Sequence, residues 1–285
     1  MKVTYYPGCS LEATAIDYAM SVEGVFGLLG IELEEVPDWN CCGATAAHSI
    51  NHKISVDLPG RTLVQSAKLD NKAMLVPCPM CYNRLKSAST ALKGPQKDQF
   101  SVQLTGKEPE IWDMANFLAQ PDCIAMIQPK IVKPLEGLSI VSYYGCMASR
   151  PPAVTGEENF ENPQSIDSVM KLLGANVIDW PFKTDCCGAS QMLSRPDMME
   201  TLVGKLYDMA LKVGAKAIVV SCQMCHMNLD AFQEKTMKKI KRKERLPIYY
   251  ITEMIAVACG VKEAEIWIDK HIVDGRPLLK ELGFL

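Results

Sequence analysis

The chain lacks any run of about 18 apolar residues, so no segment is built to cross a membrane as a helix. It also lacks a strong charge of either sign. Thirty Lys and Arg stand against 33 Asp and Glu, a net charge of −3, which argues against a nucleic-acid partner. Only MKVTYYPG precedes the first cysteine, so no cleaved signal peptide is expected and a cytoplasmic location is. Without export, the twelve cysteines are not expected to form a disulfide framework; in a reducing compartment they read as metal or redox ligands. What is present is an ordinary globular composition, 48% hydrophobic and 22% charged over 285 residues, enough for one large core or two small ones.

Five cysteines occur twice, in the same order. Cys9, Cys41, Cys42, Cys78 and Cys81 are separated by 31, 35 and 2 residues around the adjacent pair; Cys146, Cys186, Cys187, Cys222 and Cys225 are separated by 39, 34 and 2. Their surroundings repeat as well. YYPGC (5–9) answers SYYGC (142–146), NCCGAT (40–45) answers DCCGAS (185–190), and MLVPCPMCYNRL (74–85) answers IVVSCQMCHMNL (218–229). LLGI (28–31) answers LLGA (172–175). The duplication predicts two related halves, 1–135 and 136–285, the second carrying the C-terminal tail, each with a thiolate-rich metal site.

Short β-branched or aromatic runs alternate with helical patterns in both halves, which predicts an α/β fold with mainly parallel sheets flanked by helices. In the first half, strands are expected at Val3–Tyr6, Ile31–Val36 and Ala73–Val76, and helices at Ala13–Leu29 and Pro59–Leu69. In the second, strands are expected at Ile140–Tyr143, Asn176–Trp180 and Ala217–Val220, and helices at Ile166–Leu173 and Pro196–Val213. The stretches Pro121–Pro134 and Pro151–Pro163 read as connections. The lysine-rich run Lys235–Arg245 reads as a solvated face, with a partner-docking patch as the alternative. On this reading Cys9, Cys78, Cys146 and Cys222 each follow a strand, and each adjacent pair lies in the loop after another. That rim of an open parallel sheet is where ligands collect.

Five thiols per set constrain the metal. An all-cysteine zinc site usually takes two CxxC pairs, and each set has one. A regular [4Fe–4S] cubane takes four cysteines, so five binding four irons requires a bridging thiolate or an iron with two, an open and irregular cluster. Gly43 and Gly188, directly after the pairs, are expected to allow unusual dihedrals and close backbone approach. A cysteine is often a small buried apolar residue. That reading suits Cys123 and Cys259, outside the repeats, but not ten cysteines in duplicated register. A thioredoxin-like use of Cys78–Cys81 leaves three cysteines of the set unexplained.

The pattern C…CCG…CxxC, present twice over essentially the whole chain, resembles the cysteine-rich CCG-domain family. Within it the chain is most similar to the catalytic B subunit of heterodisulfide reductase. The two-repeat length without a ferredoxin-type CxxCxxCxxxCP segment supports this, as does the tail WIDKHIVDGRPLL (267–279). The resemblance implies two pseudo-twofold-related CCG domains. It also implies two noncubane [4Fe–4S] clusters, one on Cys9, Cys41, Cys42, Cys78 and Cys81, the other on Cys146, Cys186, Cys187, Cys222 and Cys225. It implies a small-molecule disulfide cleaved between them, and as partners a ferredoxin-like iron–sulfur C subunit and a flavin-containing A subunit. The stretch CCGATAAHS departs from the Pro-Ala-Pro-type stretch of the methanogen proteins, which implies a homologue of non-methanogen type acting on another disulfide or thiol.

Two histidines lie near the cysteines: His226 follows Cys225, and His48 lies six residues past Cys42. Each is a candidate proton donor, or a histidine that only packs beside the site. His52 and His271 have weaker claims. Arg195 is a candidate anchor for a substrate carboxylate or phosphate, or a surface residue. The alternative function is a non-catalytic electron-transfer subunit of a lactate, glycolate or succinate-type flavin oxidoreductase; a third is a cluster scaffold without turnover. Two complete five-cysteine sets favour catalysis, since a relay does not need five ligands.

Overall fold

In the computed structural model, which describes residues 1–44 and 46–285, eight strands among the described residues form two four-stranded sheets. Thr45, the last residue of NCCGAT, lies outside them. The first sheet holds β1 (Lys2–Tyr5), β2 (Glu32–Glu35), β3 (Ala73–Val76) and β4 (Glu110–Asp113), in the order β2-β1-β3-β4. The second holds β5 (Ser139–Tyr143), β6 (Asn176–Val177), β7 (Ala217–Val220) and β8 (Ile248–Tyr250), in the order β6-β5-β7-β8. Every pairing is parallel. The central strands explain why: AMLV and AIVV are continuous apolar runs, suited to burial on both faces. The edge strand β2, ELEE, carries its charges outward.

The duplicated sequence is thus a duplicated topology. In each sheet the chain leaves the first strand to one side and returns on the other, so the first and third strands flank a switch point, where open α/β sheets bind their ligands. The strands β4 and β8, which widen each sheet, were not evident from the residue pattern.

Several boundaries differ from expectation for local reasons. The first helix begins at Ile16 rather than Ala13, because the Ala13 and Ala15 N–H groups turn back onto the Ser10 carbonyl. It ends as expected at Gly30, which takes the left-handed conformation at φ 70°. The helix expected at Pro59–Leu69 is His52–Ser66, with Pro59 inside it. Asn51 caps it, Oδ1 accepting from the Lys53 and Ile54 N–H groups. Gly60 lets it approach the helix Pro79–Lys93, since a Cβ there would stand 2.8 Å from Leu92. This cap and packing outweigh the N–H that Pro59 lacks. The expected connection at Pro121 is the helix Pro121–Ile127, and Trp180 lies beyond the end of β6.

The lysine-rich run is held by ion pairs. From the helix Gln233–Lys239, Lys235 and Lys239 pair with Glu200, and Arg242 beyond it pairs with Asp208. Both acids lie on the helix Pro196–Lys212, so the run is a surface braced against the fold.

One core runs through both halves. Tyr18, Val22, Val25 and Phe26, from the helix Ile16–Leu29, share it with Tyr250, Met254 and Ile255 from the second half. Ser21 Oγ lies 2.6 Å from Thr252 Oγ1, and Gly24 makes room for the Trp267 ring. The Val132 and Lys133 N–H groups bond the Ala258 carbonyl, so the chain leading into β5 already lies on the second half. A smaller core covers the other face of the first sheet and contains Cys42, Cys78 and Cys81.

Candidate metal centres

Each set of five cysteines converges. Cys9 and Cys78 follow β1 and β3, and Cys146 and Cys222 follow β5 and β7, so all four sit at the two switch points. In the first half the thiols form a continuous network. Cys9 Sγ lies 3.7 Å from Cys41, Cys41 adjoins Cys42, Cys42 lies 3.1 Å from Cys81, and Cys81 adjoins Cys78. In the second, Cys146 adjoins Cys186, Cys187 Sγ lies 3.6 Å from Cys225, and Cys225 adjoins Cys222. None of the cysteines is in a disulfide. Cys9, Cys41 and Cys186 are exposed and Cys146 half-buried, while the second member of each pair and both CxxC motifs are buried. Each network therefore has a buried side and a solvent-facing side.

The loops are held by a repeated device. The Tyr6 hydroxyl donates to the Asn40 carbonyl at 2.9 Å, and the Tyr143 hydroxyl to the Asp185 carbonyl at 2.6 Å. Asn40 and Asp185 immediately precede the paired cysteines, and each tyrosine stands three residues before the first cysteine of its set. Four glycines share the close approach to the sulfurs. Gly43 and Gly188 adopt positive φ, 68° and 76°, and turn their N–H groups to Cys41 and Cys186 as expected; a Cβ there would also meet Ala47, or Leu202 and Met199, so they serve helix packing as well. A further close approach to sulfur is made by Gly8 and Gly145, where a Cβ would lie 3.1 Å from Cys81 Sγ and 2.9 Å from Cys225 Sγ.

Crowding divides the thiols into charged and neutral members. Cys42 is pulled down to about 4, first by hydrogen bonds from the Cys41 and Cys81 thiols and further by the Ala44 N–H and Arg84. Cys187 is lowered, first by the Cys225 thiol and further by the Ala189 N–H and Asn228. Cys186 falls to about 6, chiefly through Cys146. Their donors, Cys41, Cys81, Cys146 and Cys225, are raised, chiefly by those same bonds. Arg84 and Asn228 occupy matching places in the repeat, and Asn228 Nδ2 also donates to the Cys187 carbonyl at 2.7 Å. Backbone N–H groups point inward too: Gly188 N lies 3.3 Å from Cys186 Sγ, and Cys225 N 3.4 Å from Cys222 Sγ.

The two centres adjoin across the interface of the halves. Asn83, two residues past Cys81, donates to the Met147 and Arg150 carbonyls, in the loop after Cys146. The Tyr82 hydroxyl donates to the Thr155 carbonyl. Gln223, one residue past Cys222, is buried and lies beside Cys78 of the other set. There it adds to the lowering produced first by the Cys81 thiol and then by the Cys81 N–H. Neither polar atom of that amide makes a hydrogen bond among the described residues.

The remaining candidates disperse. His48 is exposed on the short helix Ala46–Ile50, and Arg195 is exposed and paired with Asp197 at 2.9 Å. His52 lies edge-on to Phe100. Cys123 is packed in the main core and Cys259 lies half-buried against it, so both serve packing. His226 is buried and stacked on Tyr250, its pKa lowered well below the usual range by burial and then by His271. The residue pattern did not reveal Tyr6, Tyr143, Arg84, Asn228 or Gln223. For the tyrosines a signal existed, because YYPGC and SYYGC repeat them; for Gln223 none did, because Pro79 stands at its matching place.

Clustered soft thiolate donors, glycine cradles with no room for a Cβ, and inward N–H groups fit a thiolate-held metal. The family model of the cysteine-rich domain, CCG, matches residues 3–86 and 140–230. The chain is 29% identical to the 8-methylmenaquinol:fumarate reductase membrane anchor subunit of Wolinella succinogenes, over 97% of this chain and 99% of that one. It is 24% identical to the B subunit of the ferredoxin:CoB-CoM heterodisulfide reductase of Methanosarcina mazei, over 99% of this chain and 97% of that one. In structure it resembles a hypothetical protein from Helicobacter pylori with a TM-score of 0.74 and 12% identity, a likeness of fold that covers 96% of this chain and 52% of that one, so the chain spans about half of it. No helix among the described residues is long and apolar enough to cross a membrane. With both matched segments carrying a complete thiol network at the same strand ends, the chain belongs to the CCG cysteine-rich-domain family.

Proposed function

We propose that the chain is an iron–sulfur redox subunit of a multi-subunit oxidoreductase of the heterodisulfide-reductase type. Each five-cysteine set holds one noncubane [4Fe–4S] cluster, and a small disulfide or thiol is processed between the two. The observation that carries this reading is the adjacency of two complete five-thiol networks. Asn83 of one half donates to the Met147 and Arg150 carbonyls, in the loop after Cys146 of the other, and Gln223, beside Cys222, lies next to Cys78. Bound there, two clusters supply one electron each, which matches the two electrons a disulfide takes up.

The residues of the chain do the rest. Cys9, Cys41, Cys42, Cys78 and Cys81 are the ligands in residues 1–135; Cys146, Cys186, Cys187, Cys222 and Cys225 are those in residues 136–285. Tyr6 and Tyr143 fix the loops that present the paired cysteines. The buried flank of each set excludes water, and the exposed Cys9, Cys41 and Cys186 leave a side open to a substrate or partner. Arg84 and Asn228 offset thiolate charge on the buried side. The partners in this reading are a ferredoxin-like iron–sulfur protein and a flavin protein of the same complex, and the location is cytoplasmic.

A second reading is favoured by the fumarate reductase relative at 29% identity: an electron-transfer component of a quinol-linked, succinate/fumarate-type flavin enzyme, in which no disulfide is bound. One experiment separates the two. The chain is purified without oxygen, and iron and acid-labile sulfide are expected at about eight each, four per cluster. Candidate disulfides are then added and both cluster spectra followed. Perturbation of both supports disulfide chemistry, and a reducible protein indifferent to every disulfide supports the relay. Zinc on sulfur ligands without sulfide would sink both.

A further inference from the structure

A pocket of about 360 Å³ opens between the start of the helix Ile16–Leu29 and the helix Gln223–Ala231. Asp17, His226 and His271 meet in its wall, and one ligand atom from each lies within 4.8 Å of the other two. They come from three separate places: the first half, the second CxxC helix, and the C-terminal tail. None belongs to a cysteine network.

One nitrogen of each imidazole is already oriented. His226 Nε2 lies 3.1 Å from the Ile248 carbonyl, and His271 Nε2 lies 2.9 Å from Glu253 Oε1. The other nitrogen of each ring makes no hydrogen bond among the described residues, and His271 Nδ1 is buried without a partner. Metal-binding histidines have this arrangement, with a carboxylate or carbonyl on one nitrogen and the metal on the other. Asp17 Oδ2 lies 3.5 Å from His271 Nε2, and its carboxylate is partly open to the pocket.

The rings are held rigidly. His226 stacks on Tyr250 at 4.1 Å, Tyr250 stacks on Tyr18 at 4.1 Å, and His271 meets His226 edge-on at 4.4 Å. Asp17, Asp230 and Glu253 surround the His271 ring with carboxylates, so a metal ion at its free nitrogen takes the place of a proton. Two imidazole nitrogens and one carboxylate oxygen form a borderline donor set that suits zinc.

We propose that Asp17, His226 and His271 bind a divalent cation, zinc by their donor set, with a fourth coordination position facing the pocket. The site ties the first helix of the first half to the second half. It does not depend on what the cysteines hold.

The anaerobically purified full chain, clusters in place, is equilibrated with buffered micromolar zinc, and its metals are counted by mass spectrometry. About one zinc per chain is expected besides the iron. X-ray absorption at the zinc edge should show nitrogen or oxygen neighbours at about 2.0–2.1 Å and no sulfur near about 2.3 Å. Asp17→Asn and His271→Asn should each weaken zinc binding at least about tenfold while iron and sulfide stay unchanged; Lys270→Ala, in the same pocket, should bind as the natural protein does. If His271→Asn loses iron as well, Asp17→Asn, at the open edge of the site, decides alone. No bound zinc, zinc with sulfur neighbours, or undiminished binding in Asp17→Asn overturns the proposal. The iron and sulfide counts from the same sample report separately on the clusters.

Discussion

Tyr18 lies flat on Tyr250 across the boundary of the two halves, ring centroids 4.1 Å apart and planes 8° from parallel. Its hydroxyl donates to the Ser221 carbonyl at 3.1 Å, one residue before Cys222. A single side chain of the first half therefore touches both the shared core and the strand end that carries the second CxxC. Tyr18→Phe should cost about 1 kcal/mol, one buried hydrogen bond. Tyr18→Ala should cost about 3–5 kcal/mol, as large-to-small changes of buried aromatics do. Because the core is continuous, anaerobic melting followed by circular dichroism and by cluster absorbance should give one transition that shifts with the variant. Two transitions, only one of them sensitive to Tyr18, would show that the halves fold separately.

The observed thiol contacts stay within each half, although the halves share a core. Cys42→Ala and Cys187→Ala are therefore expected to remove different clusters, each lowering iron by about half. Mössbauer spectra of the two variants should lose different components. Cys123→Ala and Cys259→Ala should keep full iron, because both thiols serve packing and no thiol contact joins either to a network. Loss of all iron from either paired-cysteine variant would mean that the centres assemble as one unit.

Much of this arrangement is legible in the residues. The register of the ten cysteines, the strands AMLV and AIVV, and the stop at Gly30 all follow from local patterns that tertiary packing reinforces. Tertiary features are not legible in the same way. Pro59 reads as a helix start, yet a cap eight residues earlier and a packed neighbour carry the helix through it. Gly43 and Gly188 read as residues close to the sulfurs, and they are; Gly8 and Gly145 approach them too, unread, because the switch-point geometry brings the CxxC thiols back onto the loop after the first strand. Gln223 and Tyr18 act across the interface of the halves, and no periodicity within either half reports such a contact. The same holds for Asp17 and His271, which are 254 positions apart and meet only in the fold.

Gly145 and Gly156 provide a controlled comparison. Both have positive φ, 66° and 76°, so alanine at either pays about 1–2 kcal/mol for the left-handed backbone. At Gly145 the added Cβ would also stand 2.9 Å from Cys225 Sγ, whereas at Gly156 nothing lies within 4 Å. Gly145→Ala should lose the metal of the second half, and Gly156→Ala should keep it at similar stability cost. Iron per chain checks this. Equal iron in the two variants would mean that the cradle at Cys225 accommodates a methyl group.

Asp113 caps the helix Met114–Leu118, its Oδ1 accepting from the Ala115 and Asn116 N–H groups. Its Oδ2 is buried without a hydrogen-bond partner among the described residues. Burial raises its pKa from 3.8 to about 6, against the opposing pull of the capping N–H groups. The folded chain therefore holds this proton more tightly than the unfolded chain. The associated stability is present in full below the unfolded value of 3.8 and is lost as pH rises through about 6. Between pH 5 and pH 8 the loss is about 1 kcal/mol. Asp113→Asn keeps the capping oxygen and removes the charge, so relative to the natural protein its stability should improve by about that amount from pH 5 to pH 8. Thermal midpoints of both proteins, taken without oxygen across that range, check this. A difference that does not change with pH would mean that Asp113 stays in one protonation state throughout and that its buried oxygen has found a partner.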